Sequence, residues 1–405
     1  MTRKVILAFT GGIQSSVCVH WIAHQGDYRV SAFAADLGQP GNLRRFGEHA
    51  LRLGAAKAHI EDAREEFCRD YVLPALQAGA VYENAYLLSG ALARPLISEI
   101  MVRLAREEAA QIVAHGAGPQ SNDLARFENS LGALDPDIEI IGPSNVPPLQ
   151  SRKKTLAYAE KKEIMPDEKL GPALHLDRNL WGWCVEVDPL LDTGEDLPED
   201  VYQMTTAPQN APDEADTVEI TFEAGVPVEL DGQRMSLHEL IDELNNRAGR
   251  QGIGRTQVIE DGVAGIKARQ VYERPAACVL TEAHTALEEL TLDYDTLELK
   301  KRLGRTYGEI VYKGAWFSPA KEAMDAFFSV TQKYMTGKVT LELYHGACRV
   351  VGRSSPQSLY DTELAKRERE KGLDGADVQK LWRLQALPSR VLARVRGKRA
   401  NSDRK

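Results

Sequence analysis

Apolar residues in the first 165 positions alternate between short continuous runs and helical spacing. A short apolar run bounded by turn residues is typical of a strand that is buried on both faces of a parallel sheet. Such runs predict strands at residues 5–9, 29–35, 111–115 and 138–141, and a further strand is expected at residues 57–61. Helical spacing predicts helices at residues 15–24, 42–54, 65–78 and 95–108. We expect the last of these helices to begin near Pro95, because proline is favoured in the first turn.

The alternation of strands and helices predicts an α/β fold, in which helices cover both faces of an open parallel sheet. Ligands of such sheets bind beyond the carboxyl ends of the strands. The loops after Phe9, Ala35 and His115 all lie at that edge. The sequence therefore places a candidate site there before any motif is considered.

The pattern changes near residue 166, where loops rich in proline and acidic residues separate shorter strands. It predicts strands at 217–222, 226–230, 256–260, 338–343 and 349–351, and helices at 237–248, 281–290 and 319–335. These elements indicate a second, α+β domain. Charged helices are expected at 359–370 and 374–384, before a basic tail that we expect to be frayed over 394–405. The predicted domains are 1–165, 166–358 and a helical arm at 359–405.

Composition and charge narrow the class of protein. Of the 405 residues, 43% are hydrophobic and 27% are charged, which is typical of a globular chain. The 50 basic and 59 acidic residues give a net charge of −9, which disfavours nucleic acid as a partner. Five scattered cysteines without a C-x-x-C pair indicate neither a disulfide framework nor a zinc site. No apolar stretch approaches the ~18 residues of a membrane span, so we expect a cytoplasmic protein without a membrane partner.

The first motif with chemical meaning is Thr-Gly-Gly-Ile-Gln-Ser-Ser at residues 10–16, between the first strand and the first helix. Glycines let a phosphate approach the main chain, and the helix start offers unpaired N–H groups. Ser15 and Ser16 add hydroxyl donors. The loop is neither a Walker motif nor G-x-G-x-x-G, and an ordinary turn between a strand and a helix remains an equal alternative.

The second motif is the segment 115–123, followed by Arg126. Small residues at a strand end, then Asn122, Asp123 and Arg126, can grip the carboxylate and the amine of an amino acid. The alternative is that Asn122 or Asp123 only caps the next helix. Arg94 is a third candidate, with a structural tie to a loop as its alternative.

These residues carry a resemblance to the argininosuccinate synthase family, from about Lys4 to about Leu364. In the first half the resemblance rests on the phosphate loop, on Tyr-x-x-x-x-x-Leu-Ala-Arg-Pro at 86–95, on His-Gly at 115–116 and on Asn-Asp-x-x-Arg-Phe-Glu at 122–128. In the second half it rests on Asp-x-Asn-Leu-Trp-Gly at 177–182, Gly-Ile-Gly-Arg at 252–255, Gly-Ile-Lys-x-Arg at 265–269, Val-Tyr-Glu at 271–273, Trp-Phe-Ser-Pro at 316–319, Val-Gly-Arg-x-Ser-Pro at 351–356 and Ser-Leu-Tyr at 358–360.

The resemblance implies a pyrophosphatase-type nucleotide-binding domain joined to a synthetase domain, in a homotetramer with interlocked C-terminal helices. It also implies an ATP-dependent ligase with Mg²⁺. The oxygen of a ureido group attacks the α-phosphorus of ATP and releases pyrophosphate, and the amine of aspartate then displaces AMP. Such a reaction depends on positioning and charge stabilisation.

Carried over position by position, the resemblance implies three groups of site residues. The ATP group is Ala8, Phe9, Thr10, Gly11, Gly12, Gln14, Ser15, Ser16, Ala35 and Gly116. The group for the ureido substrate is Tyr86, Ala91, Asn122, Arg126, His175, Cys184, Glu186, Glu260 and Tyr272. The group for the amine donor is Gly118, Asn122 and Asp123, and we expect Asn122, Asp123 and Arg126 to act most directly in catalysis. No protein ligand for a metal is implied.

Several of these positions depart from the family pattern. Thr10 replaces a serine and Gln14 replaces an aspartate, so the handling of Mg²⁺ must differ. Gly90-Ala91 replaces Thr-Ser, and Gly118-Pro119-Gln120-Ser121 replaces Thr-Gly-Lys-Gly. His175 and Cys184 stand where serines are expected to contact citrulline. A pocket that loses its hydrogen-bonding partners loses selectivity for the original substrate.

The sequence thus supports one leading hypothesis and two alternatives. The leading hypothesis is a ligase that couples a ureido compound to an amine, with citrulline and aspartate as the default pair. The first alternative is a paralogue from specialised metabolism that uses a different amine or ureido substrate. The second is a pseudoenzyme that binds nucleotide or amino acid, favoured by Gln14 and opposed by the retained Asn122, Arg126 and Glu260. A tRNA-modifying role lacks support, because the chain is acidic and has no paired cysteines.

Overall fold

The computed structural model of the protein describes residues 2–119, 121–165, 174–187, 192–372 and 375–402. The chain forms two compact units, Met1–Gln357 and Ser358–Lys405. The larger unit contains a parallel sheet and two antiparallel sheets, and it holds every candidate site residue.

The first half of the larger unit is built on a five-stranded parallel sheet. Its strands are β1 (Arg3–Ala8), β2 (Tyr28–Asp36), β3 (Lys57–Asp62), β4 (Ile112–His115) and β5 (Glu139–Ile141), in the order β3-β2-β1-β4-β5. Val5, Ile6 and Leu7 of the central strand are fully buried. All five strands were predicted. The continuous apolar runs of β1, β2 and β4 reflect burial on both faces of the sheet, whereas the edge strand β3 has no buried residue.

Helices cover both faces of this sheet. They are α1 (Ile13–Ala23), α2 (Leu43–Arg52), α3 (Arg64–Glu66), a π-helical turn (Phe67–Val72), α4 (Leu73–Ala78), α5 (Ser89–Glu108), α6 (Asn122–Leu134), a 3₁₀ turn (Pro147–Gln150) and α7 (Arg152–Lys161). Val5 and Leu7 pack in one hydrophobic cluster with Val17, whereas Ile6 packs in a second cluster with Leu92. Successive residues of β1 thus serve opposite layers, and the predicted α/β architecture is confirmed.

The start of α5 differs from the prediction. The helix begins at Ser89, and Pro95 lies inside it. The hydroxyl oxygen of Tyr86 accepts hydrogen bonds from the amides of Gly90 and Ala91, at 2.8 and 3.2 Å. A side chain from the preceding loop therefore satisfies the first turn, a role that capping signals in the sequence do not reveal.

The second half of the larger unit is antiparallel. Its strands are, in chain order, β6 (Leu174–Asn179), β7 (Gly182–Val187), β8 (Asp216–Glu223), β9 (Val226–Leu230), β10 (Gln233–Arg234), β11 (Arg255–Asp261), β12 (Lys267–Glu273), β13 (Gly337–Tyr344) and β14 (Ala347–Ser354). They form a sheet in the order β11-β12-β7-β6 and another in the order β10-β9-β8-β13-β14. Short 3₁₀ turns occur at Glu199–Val201 and Pro208–Asn210.

Four helices accompany these sheets within the described residues: α8 (Leu237–Arg250), α9 (Pro275–Thr291), α10 (Tyr294–Tyr312) and α11 (Pro319–Gln332). The sequence did not predict α10, which contains Gly304 and Gly308. A Cβ at either position would overlap a backbone carbonyl oxygen, that of Ala78 or that of Val81. The glycines therefore lower the helical signal, but they let α10 lie directly against the segment that leads to Tyr86.

The smaller unit consists of α12 (Thr362–Lys371), α13 (Gly375–Gln385) and α14 (Leu387–Ser402). The predicted fraying over 394–405 is wrong as far as Ser402, because α14 continues to that residue. Leu387, Val391 and Val395 recur at four-residue spacing and line one stripe of this helix. Among the described residues, no helix combines the length and the apolar character that a membrane crossing requires.

Candidate active site

The glycine-rich loop after β1 is held together by its own hydroxyl groups. Thr10 Oγ1 lies 3.1 Å from Ser15 Oγ, which donates to the carbonyl of Gly12 at 3.1 Å. Ser16 Oγ donates to the carbonyl of Gly11 and contacts His49 Nε2 at 3.2 Å. These two serines are thus engaged within the loop. Within the described residues, no side-chain hydrogen bond caps the start of α1, so the first-turn N–H groups lack a side-chain acceptor.

Gly116 joins the end of β4 to this loop. A Cβ on Gly116 would lie only 2.8 Å from the backbone nitrogen of Ser15 and 2.9 Å from its Cα. Any larger residue would push β4 away from the first turn of α1. Two of the three loops predicted to share one edge of the sheet are therefore in direct contact.

The first turn of α6 carries Asn122, Asp123 and Arg126. The cap of this helix is Ser121, whose hydroxyl accepts from the amide of Asp123 at 3.2 Å. Asn122 and Asp123 are the first two residues inside the helix, so the interpretation of either as a mere cap is wrong. Their side chains make contacts with other parts of the site.

Asp123 is held between two arginines. Arg94 donates to its Oδ2 at 2.7 Å, and Arg126 donates to its Oδ1 at 2.8 Å. Burial alone would raise the pKa of Asp123, but the charges of Arg94 and Arg126 outweigh it and hold that pKa below its usual value. Arg94 also donates to Asp177 at 2.8 Å. Arg94 is thus an ion-pair bridge between α5, α6 and β6, rather than a tie to a loop.

One face of the sheet β11-β12-β7-β6 brings together residues from distant parts of the chain. Cys184 of β7 pairs with Asp177 on one side and with Tyr272 on the other, and Glu186 pairs with His175. Paired residues of antiparallel strands point to the same face. The side chain of His175 lies outside the described residues, as does the whole of Gln120.

Glu260 is the buried carboxylate of this face. Tyr272 donates to its Oε2 at 2.7 Å, and Tyr312 donates to its Oε1 at 2.8 Å. Burial raises the pKa of Glu260, although the two hydroxyls and the charge of Arg126 offset part of that rise. Tyr86 stacks on Tyr272 with ring centroids 4.6 Å apart, so the tyrosines form one aromatic wall.

Comparison with known proteins assigns this arrangement to a family. The family model described as the arginosuccinate synthase N-terminal HUP domain matches residues 4–165, and the one described as the arginosuccinate synthase C-terminal domain matches residues 174–392. The chain is 44% identical over 390 residues to argininosuccinate synthase of Pelotomaculum thermopropionicum, covering 96% of this chain and 97% of that one. It is 43% identical over 392 residues to that of Thermosynechococcus vestitus, covering 96% and 98%.

The chain belongs to the argininosuccinate synthase family.

Family membership confirms the resemblance deduced from the motifs, together with an ATP-dependent carbon–nitrogen ligase as the class of enzyme. The two matched regions correspond to the parallel sheet and to the antiparallel part of the structure. Along the sequence the two matched regions are separated by residues 166–173, which lie outside the described residues.

The positions that depart from the argininosuccinate synthase pattern are filled in a coordinated way. A Cβ on Gly90 would overlap the carboxylate of Asp177, which occupies that space. A Cβ on Gly118 would lie 3.0 Å from Nε2 of Gln14. At these two glycines, neighbouring side chains occupy the space that a larger residue would fill. The thiol of Cys184 donates to Oε1 of Gln270 at 3.5 Å.

Two residues of the candidate site, Tyr312 and Tyr82, were not predicted from the sequence. Tyr312 bridges Asn122 and Glu260, and Tyr82 stacks on Tyr312 with ring centroids 3.6 Å apart. The signal for Tyr312 was its place four residues before the motif at 316–319, and Tyr82 lies four residues before Tyr86. The described residues contain no cluster of three His, Cys, Asp or Glu side chains able to hold a metal ion.

Proposed function

We propose that the protein adenylates the ureido oxygen of citrulline with ATP and couples the activated carbon to the amine of aspartate. The observation that carries the proposal is continuity: Gly116 packs on the phosphate loop, and six residues later Asn122 is linked through Tyr312 to Glu260. A nucleotide bound at the phosphate loop and an amino acid bound at the aromatic wall of tyrosines would thus lie next to each other at the start of α6. Family membership supports the same reaction.

In this proposal each group has a physical task. The amides at the start of α1 bind the phosphates and stabilise the pyrophosphate as the bond to the α-phosphorus breaks. Arg126 attracts the carboxylate of the ureido amino acid, and Glu260 with Glu186 attracts its ammonium group. The amine of the second substrate then forms the new C–N bond, AMP leaves with the ureido oxygen, and the amine gives up a proton. The work is mostly positioning, which suits a site of fixed donors.

Mg²⁺ would arrive with ATP in this reaction. The loop offers the Thr10 hydroxyl and the Gln14 amide rather than a carboxylate. Oxygen donors of this kind fit an ion that is held mainly by phosphates and water, which is a common mode for Mg²⁺. The protein would contribute few direct ligands to the Mg²⁺ ion.

We also propose a homotetramer in the cytoplasm. The support for assembly is the row of exposed apolar side chains on the smaller unit, including Trp382, Leu387, Val391 and Val395. Apolar surface of this kind is buried in a stable oligomer. The support for the cytoplasm is the set of scattered cysteines, which suits a reducing compartment.

A different amine donor is the second candidate, and Gly118 favours it. Gly118 stands where the amine donor is expected, and Gln120 lacks the charge of a lysine. Losing a hydrogen bond to a charged group costs ~1.5–3 kcal/mol, so two such losses would weaken the binding of aspartate at least ~100-fold. Backbone amides or an ordered water would offset part of that loss.

The deciding experiment measures pyrophosphate release from ATP with citrulline and aspartate, omitting one component at a time. Release that needs both, with an aspartate KM of ~1 μM–1 mM, supports the plain assignment. Release with citrulline and another amine, but not with aspartate, supports the second candidate. ATP binding without release, for every ureido compound and amine in a panel, contradicts both and leaves a pseudoenzyme.

A further inference from the structure

Tyr312, the last residue of α10, lies where the two substrate groups meet. Its side chain is buried, and its hydroxyl donates to Glu260 Oε1 at 2.8 Å. The same hydroxyl oxygen accepts from Asn122 Nδ2 at 3.0 Å. One atom is therefore hydrogen-bonded to a residue assigned to the ureido compound and to one assigned to the amine donor.

The ring and the backbone of Tyr312 are fixed as firmly as its hydroxyl. Tyr82 stacks on the ring, with an angle of 8° between the planes, and Tyr86 meets it edge-on at 6.1 Å. The Arg126 guanidinium lies 4.9 Å from the ring centroid, and Arg126 Nε donates to the Tyr312 carbonyl at 2.9 Å. These contacts restrict the position of the ring and therefore that of its hydroxyl group.

Hydrogen-bond chemistry gives this arrangement a direction. A phenol has one proton, and the Glu260 carboxylate accepts it, so the Tyr312 oxygen must accept from the amide NH₂ of Asn122. Asn122 Oδ1 in turn accepts from the amide of Val263 at 2.8 Å. A flipped Asn122 amide would oppose donor to donor at Val263 and acceptor to acceptor at Tyr312. The orientation of that amide is thereby determined from both ends.

We infer that Tyr312 is a positioning residue, which holds the Glu260 carboxylate and the Asn122 amide in fixed orientations so that both substrates are oriented together. The inference rests on the proposed ligase function for its kinetic consequences. It assigns no contact between Tyr312 and a reacting atom. Tyr312 acts through its two neighbours.

The groups that face Glu260 decide how its charge responds to a change at Tyr312. They are the hydroxyls of Tyr272 and Tyr312, the positive charge of Arg126, and Glu83 and Cys184, whose negative forms oppose an ionised Glu260. Burial raises the pKa of Glu260, and the hydroxyl of Tyr312 lowers it. Removing that hydroxyl therefore raises the pKa, and the ionised form is lost at a higher pH than in the wild type.

The test compares Tyr312→Phe with Tyr307→Phe. Tyr307 lies on the same helix, is fully buried, and donates to the Asp325 carboxylate at 3.0 Å, but it lies outside the site. Each variant keeps the ring and loses one hydroxyl that donates to a carboxylate. Thermal unfolding establishes that both variants are folded and how much stability each loses.

Two readouts separate positioning from stability. The first is kcat/KM for citrulline and for aspartate against pH, by pyrophosphate release. The second is the pH titration of the Glu260 carboxyl carbon in the unliganded protein, by NMR with labelled glutamate, assigned through Glu260→Gln. The titration needs no turnover, so it reports on Tyr312 even if the proposed reaction is wrong.

For Tyr312→Phe we expect kcat/KM to fall ~10–100-fold for both substrates, and the acid limb to move to higher pH. The Glu260 titration should move to higher pH as well, and Tyr307→Phe should change neither. An unmoved Glu260 titration in folded Tyr312→Phe overturns the inference. Equal kinetic losses in both variants overturn it too. A wild type that releases no pyrophosphate contradicts the proposed function alone, and the titration then decides the role of Tyr312.

Discussion

The amide nitrogen of Gln14 lies 3.0 Å from the point that a Cβ on Gly118 would occupy. Gln14 belongs to the phosphate loop, and Gly118 follows the strand end that packs on that loop. A contact this close requires the neighbouring atom to shift, because packed atoms rarely approach each other so closely. Residues 14 and 118 are therefore neighbours in space, and a side chain at position 118 would approach the flexible end of the Gln14 side chain.

A side chain at position 118 would displace the flexible end of the Gln14 side chain. We expect Gly118→Thr alone to cost only ~0.5–1.5 kcal/mol in unfolding free energy, because Gln14 is partly exposed and can change its rotamer. Adding Gln14→Asp should recover most of that loss, because the aspartate side chain is shorter by one methylene. A double-mutant cycle on urea unfolding measures the coupling. Additive effects would mean that the two side chains do not compete for space.

Gln14→Asp alone should change how the reaction depends on Mg²⁺. The variant places a carboxylate in the phosphate loop, and Mg²⁺ prefers carboxylate ligands. We expect half-maximal activity at a lower Mg²⁺ concentration, with unfolding unchanged because the residue is part of a partly exposed helix start. Gln14→Asn is the matched control without the charge. An unchanged Mg²⁺ titration in an active variant would put residue 14 outside the metal shell.

A buried ion cluster should dominate the stability of the α9–α10 pair. Glu288 lies 2.5 Å from Lys300 Nζ and 3.0 Å from His284 Nδ1, and all three side chains are buried. We expect Lys300→Met to lower the unfolding free energy by ~3–5 kcal/mol, because it removes the nearer of the two cationic partners of a buried carboxylate. Lys301→Met, at an exposed pair on the same helix, should cost less than ~1 kcal/mol. Equal losses of unfolding free energy in the two variants would show that the buried cluster stabilises the protein no more than an exposed ion pair does.

The same cluster predicts a pH dependence of stability. Burial alone would raise the pKa of Glu288, but His284 and Lys300 outweigh it and lower that pKa. A carboxyl whose pKa is lower in the folded state contributes stability above its unfolded pKa, and that stability is lost as the pH falls through the folded value. We expect wild-type unfolding free energy to decline on acidification, and the decline to be smaller in Glu288→Gln. Parallel declines of the two unfolding free energies in urea titrations from about pH 6 to about pH 3 would contradict this.

The exposed stripe of α14 should mediate assembly. Val391 and Val395 are 58% and 52% exposed in the single chain, which is unfavourable for an apolar stripe in water. We expect Val391→Asp with Val395→Asp to reduce the mass measured by light scattering below that of the wild-type oligomer. Ser389→Asp, which adds a charge on the side of the helix opposite the stripe, is the control. A wild-type monomer, or a variant of unchanged mass, would refute the role of the stripe.

The sequence predicted the parallel sheet well and the antiparallel site sheet poorly, for one physical reason. β1 is buried on both faces, so Val5, Ile6 and Leu7 form a continuous apolar signal. The strands β6, β7 and β12 place polar residues such as Asp177 and Glu186 on the face that forms the site, and this hides their character as strands. Contacts that depend on tertiary proximity, such as Tyr312 with Glu260, leave no local pattern at all.

The hydroxyl oxygen of Tyr86 has a consequence for the polarity of the substrate. Both of its lone pairs are used by the amides of Gly90 and Ala91. Burial also raises the pKa of this phenol, so it keeps its proton. All that Tyr86 can still offer a ligand is an O–H bond. A carboxylate or carbonyl oxygen could accept this proton, whereas an ammonium group could not, so an amino acid bound at Tyr86 would be expected to present an oxygen to it.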